Sequence, residues 1–301
     1  MSTRTGRLGR VALCVSIMGA AGCQQDQGFV ERPLEAIAVA TGDFDSVEYS
    51  LDRLLISYQT YEGYISEPTY DLDADPDSML LKVETLFTGE TEGGGREIDE
   101  YDAIFVNSGV RGFGEYVYNG VDPDDALVTD ELAVQTVRDF VNGGGILFAS
   151  DWAYDLVEAA FPEAIDFYGD DTVYDAAQAG SAGGVDGVVN DSNLSDALGN
   201  STVSLAYNYS YWAVIEGVGA GTTTWMSGDV EYRISASEGY ATLKSAPLLV
   251  SFESGGGQVI YSTFHINAQT ARMVDTAIDV MIPGLPTSSD ETQDPTLSEA
   301  R

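Results

Sequence analysis

The chain has 301 residues, 49 acidic against 13 basic, and a formal net charge of −36 at pH 7. With 44% hydrophobic and 10% aromatic residues it can bury a sizeable core, and one globular domain plus ends is the expectation. Such a surface repels nucleic acid and anionic lipid headgroups, so nucleic acid is excluded as a partner, and any membrane attachment must come from an anchor instead of a basic patch.

Residues 1–22, MSTRTGRLGRVALCVSIMGAAG, hold three arginines and then an apolar stretch from Val11 of about a dozen residues, too short to cross a bilayer as a permanent helix. This is the form of a signal peptide. It stops at Cys23, preceded by Ala20-Ala21-Gly22, and resembles the lipobox of bacterial lipoproteins, whose cysteine is acylated and becomes the mature N-terminus. Ala20 departs from that pattern, in which leucine is usual, and an ordinary secreted protein cut at an A-x-A-like site is the alternative. Gln24 resembles the sorting pattern of the outer membrane, so the resemblance implies an extracytoplasmic chain attached through lipid to the outer membrane of a Gram-negative bacterium. Cys14 would leave with the leader and Cys23 would carry lipid, which leaves no thiol for catalysis, disulfide or metal in the mature domain.

Residues 23–33 read as a polar tether. A buried strand is predicted over 34–42 and a helix over 47–61, with Val47, Leu51, Leu54 and Leu55 on one face. Strands are expected at 80–87 and 101–109, then a helix over 129–145 with a Thr/Asp cap and a glycine stop, a central strand at 146–150 and a helix over 152–161. Strands spaced by helical segments predict an α/β fold with a doubly wound, mostly parallel sheet covered on both faces. From 168 to 245 the composition shifts to Gly, Ala, Asp and Asn, with β-type runs at 202–207, 211–215 and 222–226, which reads as a β-rich insertion in the same domain. Two strands around a glycine-rich turn follow at 246–265, ending at His265, and a helix over 267–282 closes a domain of residues 34–282. The Pro/Ser/Thr/Asp tail, 283–301, is expected to be disordered.

In the stretch YDLDADPDSMLLKVE (70–84), acids fall at positions 1, 3 and 5 counted from Asp73, and Glu84 at position 12, as in an EF-hand loop. Ser78 stands where that loop needs glycine, so the candidate is a looser calcium site of Asp71, Asp73, Asp75 and Asp77, against a solvated acidic loop. No other cofactor is expected.

In open α/β sheets ligands bind beyond the carboxyl ends of the strands. Those ends carry Asp43 after the first strand, Asn107, Ser108 and Gly109 after the third, Ser150, Asp151 and Trp152 after the fourth, and His265 with Asn267 after the last. The stretch GGGILFASDWAYD (143–155) has the form of a nucleophile elbow, which needs small residues two places to either side of its apex. Ala149 and Ala153 put Asp151 at the apex, since Phe148 and Trp152 would flank Ser150.

The order of elements, FVNGGGILFASD and GGGQVIYSTFHIN resemble the class I glutamine amidotransferase-like superfamily, including its trehalose-utilisation (ThuA-like) branch, and so imply a flavodoxin-like fold. In glutamine amidotransferases the elbow is G-x-C-x-G and a late strand ends in F-H-P-E. The resemblance therefore puts Asp151 in place of the nucleophilic cysteine, His265 in place of the base and Asn267 in place of its orienting glutamate, with Asn107-Ser108-Gly109 at the oxyanion loop. A carboxylate beside an imidazole holds it as an ion pair and is a poor nucleophile toward an amide, so amidotransferase activity is not expected.

SDWA (150–153) also resembles the D-W-G elbow of haloalkane dehalogenases and epoxide hydrolases, which implies a hydrolase with Asp151 as nucleophile and His265 as base. The plain alternative is an Asp151 that only caps a helix and a packed His265. Alternation along AYNYSYW would put Tyr207, Tyr209 and Tyr211 on one face as a sugar-stacking platform. The leading expectation is a non-catalytic domain that binds a small polar or carbohydrate ligand, or a protein partner, in a pocket around Asp151 and His265.

Overall fold

The computed structural model describes residues 34–63, 81–110, 130–171, 173 and 175–285. Cys23, the leader and tether, the acidic stretch with Asp71, Asp73, Asp75 and Asp77, and residues 286–301 lie outside the described residues.

The chain opens with β1 (Ile37–Ala40), α1 (Glu48–Arg53), β2 (Gln59–Glu62), β3 (Leu81–Lys82), α2 (Val83–Thr88) and β4 (Ala103–Val106). It continues through α3 (Glu131–Asn142), β5 (Ile146–Ser150) and, after a 3₁₀ turn at Asp151–Ala153, α4 (Tyr154–Ala160). Next come β6 (Ile165–Phe167), β7 (Gln178–Gly180), β8 (Gly183–Val189), α5 (Ser192–Leu198), β9 (Thr202–Tyr207), β10 (Trp212–Ala213), β11 (Ile215–Val218) and β12 (Thr223–Ser235). The hairpin of β13 (Gly239–Ser254) and β14 (Gly257–Ser262) precedes α6 (Ala271–Met281).

Six strands run parallel in the order β3-β2-β1-β4-β5-β14, and the five longer ones follow the flavodoxin order, with the reversal of strand order between β1 and β4. The same sheet continues antiparallel from β14 through β13 and β12, which pairs in turn with β7 and β8. Strands β6 and β11 form a separate pair.

Every residue of β1, β4 and β5 is buried, as parallel strands covered on both faces require. Alternation sorts their side chains into two cores: Ala40, Val106, Leu147 and Tyr261 face Phe87, Val137 and Leu156, while Val39, Phe105, Phe148 and Ile260 face Leu51, Val274 and Ile278. Each large side chain so buried contributes about 1.5–3 kcal/mol. Helix α3 starts where the Asp130 carboxylate accepts the Leu132 amide at 2.8 Å and stops at Gly143.

Several predicted elements differ in type or extent. The helix expected over 47–61 ends at Arg53, because Leu55 takes a left-handed backbone (φ +60°) with its side chain exposed, and a turn followed by β2 occupies the rest. The strand expected at 80–87 is two residues of β3 followed by α2, whose Val83, Leu86 and Phe87 fall at helical spacing on the core. The run at 211–215 divides into β10 and β11, which belong to different sheets. Residues 283–285, read as the start of the tail, are ordered against the domain: Gly284 accepts the Leu34 amide at 2.9 Å and Leu285 is buried.

Candidate functional site

The loops after β1 and β4 lie directly on one another. A Cβ at Gly42 would collide with the Ser108 carbonyl oxygen, and its absence lets the Phe44 and Asp45 amides donate to that oxygen at 3.2 and 3.3 Å. This contact turns Asp45 inward, where its buried carboxylate accepts the Ser46 amide (2.7 Å), the Ser150 hydroxyl (2.8 Å), the Ile266 amide (2.9 Å) and the Asn267 amide (3.0 Å). One carboxylate thereby joins the ends of β1, β5 and β14. The acid expected in the pocket from its place after the first strand, Asp43, is instead exposed; the two aspartates flank Phe44 and no local spacing distinguishes them.

Asp151 occupies the turn from β5 into α4 with φ +42°, a strained conformation for a residue with a side chain. Tyr261 holds it there by donating its hydroxyl to the Asp151 carbonyl at 2.7 Å. The Asp151 carboxylate, almost fully buried, accepts the Ala213 amide on Oδ1 at 2.7 Å and meets His265 Nε2 on Oδ2 at 2.8 Å. The Ser108 hydroxyl lies 3.4 Å from Oδ2 and 3.1 Å from Nε2, and accepts the Trp152 amide at 3.4 Å.

The other ring nitrogen of His265, Nδ1, faces Asn208 Oδ1 at 2.9 Å. Two oxygen acceptors on opposite nitrogens suit an imidazole protonated at both. Burial alone would lower the proton affinity of His265, but the hydrogen bond and charge of Asp151, with Asp45 beyond, outweigh it and raise the pKa above the usual histidine value. Burial also raises the Asp151 pKa, with His265 and the Ala213 amide opposing, so the pair retains its shared proton and titrates as a unit.

Asn267 does not orient the histidine. Its side-chain amide reaches the Phe44 carbonyl at 3.4 Å, and Asn208, supplied by the β-rich region 57 residues earlier, takes the orienting position. Asn107 accepts the Val47 amide at 3.1 Å and donates to Glu48 at 2.7 Å, so it starts α1. The Ser108 amide donates to Ser150 Oγ at 3.0 Å, which spends the donor an oxyanion loop would offer. Ser108, Gly109 and Ser150 are buried with Asp151, and Trp152 is half-buried beside them.

Aromatic rings surround this pair. Phe44 contacts Trp152 edge-on at 4.9 Å and Tyr209 at 5.8 Å, Tyr209 lies 5.6 Å from the His265 ring, and Trp152 Nε1 donates to the Tyr211 carbonyl at 2.8 Å. Tyr209 and Tyr211 are exposed, whereas Tyr207 is buried and donates to or accepts from Thr263 at 2.8 Å. The expected single tyrosine face is therefore not formed: β9 ends at Tyr207, and strand alternation ends with it. Chemically, the arrangement is a buried ion pair with its polar atoms engaged, beneath a rim of aromatic surface.

No family model and no curated protein matches the chain. Solved structures of similar shape include a GMP synthase-type protein from Thermoplasma acidophilum, at 10% identity and TM-score 0.45 over 83% of this chain and 96% of that one. A glutamine amidotransferase from Thermotoga maritima is similar at 11% identity and TM-score 0.41, covering 87% of each chain. A cold-adapted β-galactosidase from Rahnella sp. R3 is similar at 15% identity and TM-score 0.40, over 84% of this chain and 33% of that one. The α/β, flavodoxin-like class rests on the strand order above. No helix among the described residues is long and apolar enough to cross a membrane.

Proposed function

We propose that this chain is a lipid-anchored protein of the bacterial envelope, acylated at Cys23, whose glutamine amidotransferase-like domain, of the ThuA-like branch, binds a small polar or carbohydrate ligand and performs no amidotransferase chemistry. The observation that carries this reading is the closed hydrogen bonding of Asp151 and His265. Both carboxylate oxygens and both ring nitrogens already have partners inside the protein, which disfavours either group as nucleophile or base. Ligand contact then falls to the rim of Phe44, Trp152 and Tyr209, whose rings offer the apolar faces on which sugars stack. Isothermal titration of the full chain with a panel of neutral oligosaccharides should give saturable binding that Trp152→Ala and Tyr209→Ala weaken about tenfold or more; no binding by the native chain sinks the reading. Mass spectrometry of the mature N-terminus should find diacylglycerol on Cys23, and an unmodified terminus elsewhere removes the anchor.

A hydrolase using Asp151 as nucleophile is the second reading, and the left-handed backbone of Asp151, with His265 at 2.8 Å, favours it. A single turnover of an epoxide or haloalkane in ¹⁸O-water should then place label in the Asp151 carboxylate. Absence of both turnover and label rejects it.

A further inference from the structure

A cleft of about 690 Å³ opens at the end of the sheet opposite Asp151 and His265. Gln258, at its edge, pairs with Ile146 at the amino end of β5, whereas Asp151 and His265 follow the carboxyl ends of β5 and β14. Its volume is that of a small-molecule site.

The walls are fixed by contacts of their own. Phe161 and Phe252 meet edge-on at 5.3 Å, and Trp225 is held by donating its indole N–H to Ser251 Oγ at 2.7 Å. The turn 219–222 is anchored to the segment after α4: the Gly219 amide and the Thr222 hydroxyl both donate to the Ala164 carbonyl, at 2.9 and 2.8 Å. A Cβ at Gly219 would collide with the Glu163 carbonyl, so this wall requires glycine and carries no side chain larger than threonine.

The charge in the cleft is one-sided. Glu163 and Glu253 line it, both exposed, and among the described residues no lysine, arginine or histidine does. Neither glutamate forms an ion pair or a side-chain hydrogen bond among the described residues, and the chain offers only 13 cations against 49 acids. The hydroxyls of Thr222, Ser251 and Ser254 are already engaged, so the groups left for a ligand are the two carboxylates and the aromatic faces, with the Thr223 hydroxyl and the Gln258 amide at the edge.

From this combination we infer that the cleft binds a small organic cation with an apolar periphery, of the quaternary ammonium type, its charge balanced by Glu163 and Glu253 and its methyl groups against Trp225. Aromatic faces attract such cations through the ring quadrupole, and the carboxylates add the countercharge. An anion would meet no positive group among the described residues here, and a neutral sugar would gain hydrogen bonds but none of the charge attraction that the two carboxylates offer. A bare metal ion needs converging ligands, and among the described residues no group of three or more His, Cys, Asp or Glu can hold one.

The test is isothermal titration of the full chain with tetramethylammonium chloride at constant ionic strength, beside sodium chloride and glucose. Saturable binding of tetramethylammonium alone is expected, weakened at least about tenfold by Glu163→Gln with Glu253→Gln and by Trp225→Phe to a smaller extent. Thr223→Lys, which places a cation on the exposed rim of the cleft, should abolish it. Absence of saturable binding, binding retained in the double glutamine variant at an unchanged melting temperature, or equal binding of glucose overturns the inference.

Discussion

Asp151 and Asp155 stand one helical turn apart and are equally inaccessible to water, at 2% and 1% exposure, yet the protein treats them in opposite ways. Asp151 receives a backbone amide and an imidazole. Among the described residues neither carboxylate oxygen of Asp155 has a partner at full hydrogen-bonding geometry, and only the Tyr154 hydroxyl and Asp175 amide lie near it. Burial, with Asp175 and Glu158 adding negative charge, pushes the Asp155 pKa well above the ordinary carboxylate value. The two residues are the two ways a protein tolerates a buried acid. One is compensated by a counterion, and the other stays protonated.

Removing the counterion breaks the first arrangement and carries the largest expected effect. His265→Ala leaves the Asp151 carboxylate buried and unpaired, which should cost about 3–5 kcal/mol in urea unfolding at pH 7. A loss below about 1 kcal/mol at that pH would mean the pair holds no charge. Asp45→Ala comes next. It removes the acceptor for three amides and a hydroxyl that join three strand ends; charged hydrogen bonds contribute about 1.5–3 kcal/mol each but four that share one carboxylate do not add, so a loss of about 3 kcal/mol is expected. Asp43→Ala, two residues away and exposed, should stay within about 0.5 kcal/mol. Equal effects at the two positions would refute the assignment of Asp45 as the joint.

The contrast between these aspartates was only half legible in the sequence. Strands β1, β4, β5 and β14 stand out because a parallel strand buried on both faces is an unbroken apolar run, and Ala149 and Ala153 mark Asp151 as the apex from residue sizes alone. Long-range partners have no such signature. Asn208 and the Ala213 amide reach His265 and Asp151 from the β-rich region, 57 and 62 residues away in sequence, and no local motif announces them. Nor does the sequence distinguish a satisfied buried acid from an orphaned one, since Asp151 and Asp155 both sit in the same S-D-W-A-Y-D stretch. Helix α1 misled for a different reason: the Leu54-Leu55-Ile56 run continues the apolar period past the point where the backbone at Leu55 leaves the helix.

Asp155→Asn sharpens the comparison most economically, because its sign reverses that of His265→Ala. A carboxyl whose pKa is raised on folding binds its proton more tightly in the native chain than in the unfolded one. Its stabilising contribution is complete below the ordinary carboxylate pKa and is lost as pH rises through the folded value. Glu158, pushed up to about 7 by burial and by the nearby Asp171 and Asp166, and Asp175, pushed up to about 6 by burial, act in the same direction over pH 4 to 7. The native protein should therefore lose stability from this region as pH rises from 4 to 8. Asparagine cannot ionise, so Asp155→Asn should stabilise at pH 8, by about 1.4 kcal/mol for each pH unit that separates the unfolded and folded pKa of Asp155, and the gain should shrink toward zero near pH 4. Melting curves of the two proteins between pH 4 and 8 measure this difference. Curves that run parallel across the whole range would mean that Asp155 does not titrate on unfolding, and that its orphaned carboxyl does not differ electrostatically from the paired one a turn earlier.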